Sequence, residues 1–169
     1  MVSPAAAVAF DSADALDATA FFSSTVHSGV LHAAGVLRDK MLRLMAASDS
    51  NNVFAPKALA ASHAQQALSP RPLEALGLFS SIASTFGNVG QANYAAANAY
   101  LDSLAWSRRS RGSLVSSLQI PAVSSAGMGA AIFNADQHNA MRGIALDEFA
   151  ACLAVSLVPA RTAAERTLV

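Results

Sequence analysis

Apolar runs of strand length alternate with stretches of helix length along most of the chain. Residues 6–10 read as a buried strand, and Asp11, Ser12 and Asp14 supply turn and helix-start residues for a helix through about Phe22. Residues 25–33, T-V-H-S-G-V-L-H-A, predict a second strand with apolar side chains on both faces, ending at His32-Ala33-Ala34-Gly35. A polar break at 48–52 follows, with Asn51 or Asn52 the expected cap of a helix over about 53–66. After a loop at 69–72 come a strand over 76–80, a turn-rich link carrying Gly87 and Gly90, and a helix opening near Ala92. Arg108, Arg109 and Arg111 ahead of Gly112 mark the end of that helix. Residues 114–120 give a further strand closed by Pro121, and residues 145–158 a last helix with Asp147 and Glu148 in its first turn.

This alternation predicts right-handed parallel βαβ units in an α/β fold. The C-terminal ends of the strands then line one edge of the sheet, where ligands bind in open parallel sheets. Gly127-Met128-Gly129 begins like a dinucleotide fingerprint, but Ile132 stands where its third glycine belongs, so a loop is expected there.

Composition narrows the function. The 169 residues suit one domain, and 11 basic against 11 acidic residues give no excess charge for nucleic acid or an acidic membrane surface. The apolar run 149–160 is too short to span a bilayer, and the N-terminal residues lack the basic start of a signal peptide. A single cysteine, Cys152, allows neither an internal disulfide nor a multi-cysteine zinc site. That usage fits a reducing compartment, the cytoplasm or alternatively an organelle.

Candidate chemistry concentrates between residues 76 and 102. Tyr94 and Asn98 lie one helical turn apart and share a face that can turn toward Ser81 at the end of its strand. Lys57 is one of only two lysines. Flanked by Phe54, Ala55, Pro56, Ala58 and Leu59, it would ordinarily snorkel to water; a partner at the sheet edge would give it another use. Such a group of tyrosine, lysine, serine and asparagine suits proton donation coupled to hydride transfer. An ammonium near the tyrosine is expected to favour its ionised form, and a serine hydroxyl can hydrogen-bond a carbonyl oxygen as charge develops.

These residues resemble the ketoreductase domain of polyketide and fatty-acid synthases, a branch of the short-chain dehydrogenase/reductase family. The resemblance is carried by G-V-L-H-A-A-G-V-L-R-D at 29–39, A-P-K at 55–57, and L-F-S-S-I-A followed by G-Q-A-N-Y-A-A-A-N-A-Y-L-D. Lys57 lies 24 residues before Ser81, and Asn98 stands four after Tyr94, the order of the synthase branch rather than of free-standing reductases acting on small ketones. The resemblance implies a Rossmann-like, doubly wound parallel sheet and NADPH-dependent reduction of a β-ketoacyl thioester on an acyl carrier protein. It implies Tyr94 as proton donor, Ser81 as carbonyl ligand, and Lys57 with Asn98 as the relay. Cofactor contacts are implied at Asp11, His32, Ala33, Ala34, Gly35, Lys57, Tyr94 and Pro121. Asp39 in Leu37-Arg38-Asp39 marks the B-type stereochemical class, and Phe86 replaces the tryptophan of the other class; Gln91 belongs to the same substrate-side group.

The pattern also departs from the family. No glycine precedes Gly29 and no lysine or arginine precedes Arg38, so the first two strands and the glycine-rich phosphate loop are expected to be missing. Residues 8–11 then correspond to the third strand and its adenine-side aspartate, leaving an exposed sheet edge. In residues 117–123, Ile120 and Val123 replace a turn that usually carries tryptophan and glycine near the nicotinamide. The 169 residues therefore read as the C-terminal part of one ketoreductase domain. Partners are the carrier-bound substrate and other synthase domains or a preceding N-terminal segment, and the alternative is a non-catalytic fragment or scaffold half of a split reductase.

Overall fold

The computed structural model describes residues 5–69, 73–124 and 143–157. Three parallel strands, β1 (Gly29–His32), β2 (Ala75–Ser81) and β3 (Val115–Ile120), lie in that order in one sheet. Gly29 pairs with Ala75 and Leu76 with Val115, so β2 and β3 end side by side at Ser81 and Ile120, while β1 ends at His32 beside Leu78. Among the described residues six α-helices accompany them: α1 (Ala15–Ser24), α2 (Ala47–Phe54), α3 (Ala60–Leu68), α4 (Ala83–Phe86), α5 (Ala92–Arg109) and α6 (Leu146–Ser156). This is the expected α/β architecture.

Side-chain alternation along β2 explains the layering. Leu76 and Leu78 enter a core with Ala61 of α3, Leu101 and Ala105 of α5, and Val115. On the opposite face, Phe79 meets Phe149 of α6 edge to face at 5.7 Å. Gly77 lets that layer close, because a Cβ there would stand 2.7 Å from Leu31 Cδ2 and 3.1 Å from Leu157 Cδ2. A second cluster joins Ala18 and Phe22 of α1 to Ala64 and Leu68 of α3.

Local signals behave as their chemistry requires at several ends. The Asp14 carboxylate caps α1 by accepting from the Leu16 and Asp17 amides at 2.8 and 3.0 Å. Gly112, at φ +83°, follows the last turn of α5 in the left-handed region that glycine tolerates.

Three expectations are corrected. Residues 6–10 form no strand: Phe10 instead stacks on Phe21 with ring centroids 4.1 Å apart, and Val8 is 63% exposed. A strand exists only where a ladder partner does, and among the described residues β1 pairs on one side alone, with β2. Residues 48–52 are not a break but the body of α2, because the Asp49 carboxylate accepts from the Ala46 amide at 2.9 Å and starts the helix there, so Asn51 and Asn52 cap nothing. Between α2 and α3 the helix continues through a π-helical turn, Ala55–Leu59. Pro56 has no N–H to give and its ring crowds the preceding turn, which a wider turn relieves. The sequence around Gly127-Met128-Gly129, the loop residues 70–72 and Val158 lie outside the described residues.

Leu78 is 1% exposed at the centre of the sheet's main core. Leu78→Ala is expected to cost about 3 kcal/mol in urea unfolding. A loss below about 1 kcal/mol would show that this layer is not the stabilising core.

Candidate active site

The π turn places Lys57 on the inner side of the helix, where only 3% of it is exposed. Its ammonium donates to the Phe79 carbonyl at 2.8 Å and sits 5.5 Å from the centre of the Tyr94 ring. Burial pulls the Lys57 pKa down to about 8, with the charge of Asp102 pushing the other way. This lysine does not snorkel. Beside it, His32 at the end of β1 places Nε2 2.8 Å from the Lys57 carbonyl oxygen. Burial lowers the His32 pKa, the bond to that carbonyl opposes the shift, and the nearby ammonium adds to it.

Tyr94 opens α5 and lies half-buried, while Asn98 one turn later is fully buried. Asn98 donates through Nδ2 to the Tyr94 carbonyl oxygen at 2.8 Å, and its Oδ1 finds no partner among the described residues. Ser81, the last residue of β2, accepts from the Ala83 amide at 3.2 Å, which turns the chain into α4. Burial raises the Tyr94 pKa, hydrogen bonding with the Asn98 and Ser81 side chains brings it partly back, and Asp39 adds to the rise. The expectation that a neighbouring ammonium would favour the phenolate is thus corrected. Lys57 points its charge at the ring and the Phe79 carbonyl, and loss of solvent dominates at the hydroxyl.

Asp39 and Gln91, expected on the substrate side, meet at the start of the same helix. Gln91 is buried just before α5 and donates to Asp39 Oδ2 at 2.8 Å, while Asn88 donates to Gln91 Oε1 at 3.1 Å. Backbone and side chain stitch the two loops further: the Lys40 amide donates to the Gly90 carbonyl at 2.9 Å and Asn93 to the Arg38 carbonyl at 3.0 Å. Lys40 also pairs with Asp49 at 2.8 Å, and the Lys40 hydrogen bond holds the Asp49 carboxyl below its usual range. Phe86 takes no part in this junction as a packed side chain, being 81% exposed at the end of α4.

Of the residues expected against a cofactor, His32, Ala33, Ala34 and Gly35 follow the end of β1 and Pro121 follows β3, at the edge where Lys57 and Tyr94 also lie. The unpartnered Asn98 Oδ1 and the buried Lys57 ammonium give this edge an acceptor and a donor suited to the hydroxyls of a nicotinamide ribose. Residues 5–28 carry no glycine loop and no lysine or arginine for a pyrophosphate. Asp11 is exposed and occupied in the turn before α1, accepting from the Ala13 amide at 2.9 Å. The described residues therefore fit the nicotinamide end of such a cofactor and not its phosphates. No group of three or more His, Cys, Asp or Glu able to hold a metal occurs among them, and none of their helices is long and apolar enough to cross a membrane.

Asp102 was not foreseen as part of this site. It lies on α5 four residues beyond Asn98, and its only advance signal is that spacing. Asn93 was missed as well: it is buried, and a side chain bonding backbone carbonyls of a distant loop leaves no periodic trace.

Comparison with known proteins agrees with the geometry. Residues 5–125 match the family model of the KR domain. The chain is 48% identical over 118 residues to polyketide synthase GfsA of Streptomyces halstedii, a match over 68% of this chain and 2% of that protein. To the highly reducing polyketide synthase calA of Penicillium decumbens it is 44% identical over 99 residues, 59% of this chain and 3% of that one. Among solved structures, A-type ketoreductases from a modular polyketide synthase superpose with a TM-score of 0.79 at 30% identity, over 89% of this chain and 33% of theirs. A ketoreductase domain from the bacillaene assembly line gives 0.77 at 25% identity, over 89% and 40%. The chain thus spans a very small part of these curated relatives and well under half of these structures. Matched over most of its length by the family model and by these folds, the chain belongs to the KR domain family, the ketoreductase domains of polyketide synthases.

Proposed function

We propose that this chain carries the proton-transfer half of an NADPH-dependent ketoreductase that converts a β-ketoacyl thioester, held on an acyl carrier protein, to the β-hydroxyacyl thioester. The observation that carries the reading is the convergence of Lys57, Ser81, Tyr94 and Asn98 at the end of β2 and the start of α5, with the Lys57 ammonium on the Phe79 carbonyl at 2.8 Å and 5.5 Å from the centre of the Tyr94 ring. The bound nicotinamide supplies a hydride. Ser81 and Tyr94 bind the substrate ketone oxygen, and Tyr94 donates its proton to that oxygen as it becomes an alkoxide. A raised pKa keeps the phenol protonated before reaction. Lys57, with a pKa of about 8, is largely charged at neutral pH and supplies the proton that restores the phenol after donation. The unpartnered Asn98 Oδ1 can hold a water that returns the proton through Lys57.

Asp39 and Gln91 set the face of reduction in this reading, and B-type selectivity follows from Asp39. Their 2.8 Å hydrogen bond fixes the aspartate beside the opening of the tyrosine helix. His32, Ala33, Ala34, Gly35 and Pro121 would line the cofactor, and Asp11 its adenine side. The phosphate grip and the strands beyond β1 would come from a preceding segment or from other synthase domains.

A second reading has its own support. The absence of any glycine before Gly29, together with the unpaired side of β1 among the described residues, favours a non-catalytic piece or one half of a split domain. Equilibrium NADPH titration of the 169-residue chain separates the possibilities. Binding weaker than about 100 μM is expected without a phosphate loop, and low-micromolar binding contradicts that expectation.

In the full-length synthase, Tyr94→Phe is expected to lower ketone reduction by about 100-fold or more with the fold intact by circular dichroism. Turnover at the parent rate would remove Tyr94 from its role. Ultraviolet titration near 295 nm, compared with Tyr94→Phe, should show Tyr94 ionising above the usual tyrosine value of about 10. Ionisation below that value would restore the ammonium-dominated picture that the burial of this site argues against.

A further inference from the structure

Asp102 extends the stripe of α5 that already carries Tyr94 and Asn98 at intervals of one turn. Its half-buried carboxylate collects donors from two other elements. Ser84, on the short helix entered from Ser81, donates to Oδ2 at 2.6 Å, and Gln119 of β3 donates to the same oxygen at 2.8 Å. Ser117 of β3 donates to Oδ1 at 2.5 Å. Gln119 is itself tied to Ser84 at 3.0 Å and to Thr85 at 3.1 Å, so the cluster closes on itself. Burial pushes the Asp102 carboxyl up, but the hydrogen bonds from Ser117, Ser84, Gln119 and Ser80 outweigh it and hold the group below the usual carboxylate range.

An ionised carboxylate this well fixed has a consequence for the buried lysine. Tyr94 from α5, His32 from β1 and the Phe79 carbonyl from β2 stand against Lys57, and Asp102 lies beside the same stretch of β2, bonded to Ser117 and Gln119 on either side of Leu118, the residue that pairs with Phe79. Of these, Asp102 alone brings a full negative charge, and it opposes the desolvation that would otherwise neutralise the amine.

We propose that Asp102 is a positioning residue of the reduction site: a negative charge, locked by Ser84, Ser117 and Gln119, that ties α4 and β3 to the tyrosine helix and stands as the counter-charge to Lys57. The proposal rests on the reading of Lys57 as the relay group. It assigns no contact between Asp102 and the substrate. The three donors serve to keep the charge in place rather than to react.

Lys40 and Lys57 are the only lysines in the sequence, so lysine labelled with carbon-13 gives two side-chain signals, assigned with Lys40→Arg. Titrating the Lys57 Cε signal in the 169-residue chain needs neither cofactor nor turnover. Asp102→Asn is expected to lower its midpoint from about 8 by roughly half a pH unit or more, and Asp102→Glu to recover most of the difference. An unchanged midpoint in an Asp102→Asn protein with native circular dichroism overturns the proposal. Should that variant not fold, Ser117→Ala decides: the carboxylate stays with one donor fewer and protonates at higher pH. The Lys57 signal must then show a second step where Asp102 titrates, and a trace without that step overturns the proposal equally. Loss of the reductase reading through the Tyr94→Phe experiment would leave this coupling standing, so the two failures are distinguishable.

Discussion

One ammonium group, held 2.8 Å from the Phe79 carbonyl and packed over the Tyr94 ring, joins the three elements on which this site depends. The π turn delivers Lys57, β2 supplies the carbonyl one residue before Ser80 and two before Ser81, and α5 supplies the aromatic face. Placing a charge where 3% of the side chain meets solvent is unfavourable unless it gains hydrogen bonds and an opposite charge nearby. The strand-end carbonyl and Asp102 provide both. A site built this way carries its own constraint: moving β2 relative to α5 would strand a buried charge, so the packing that stabilises the sheet also sets the distances among these side chains.

The substrate side obeys a similar logic with weaker parts. Asp39, Gln91, Asn88 and Asn93 bind the loop after β1 to the start of α5 through side-chain amides, so neither loop is free to move alone. On the cofactor side the organisation runs out at β1. Its pairing in one direction among the described residues leaves hydrogen-bonding groups available to a further strand.

Much of this was legible in the sequence because it is local. Tyr94 and Asn98 at helical spacing, the aspartate cap of α1 and the glycine after α5 follow from short-range rules. The wider family resemblance joined Lys57 to them across a gap that spacing alone cannot bridge. What stayed hidden depends on neighbours. Residues 6–10 have strand composition, but without a ladder partner Phe10 joins the aromatic cluster of α1 instead. Helix α2 begins early because one carboxylate, Asp49, serves both the Ala46 amide and Lys40. The direction of the Tyr94 shift turns on burial, which no motif encodes, and Asp102 became visible only when Ser84, Ser117 and Gln119 were seen to converge on it.

The central claim is that Lys57 is buried and engaged in this chain before any cofactor arrives. Competitive acetylation at mildly alkaline pH, read by mass spectrometry, compares Lys57 with exposed Lys40 in the same molecule. Lys57 is expected to react at least about 10-fold more slowly than Lys40, whose ammonium is paired with Asp49 but half-exposed, and urea is expected to make the two alike. Equal labelling of both lysines in the native chain would contradict it, because an accessible Lys57 could not be the group that holds strand, helix and tyrosine together.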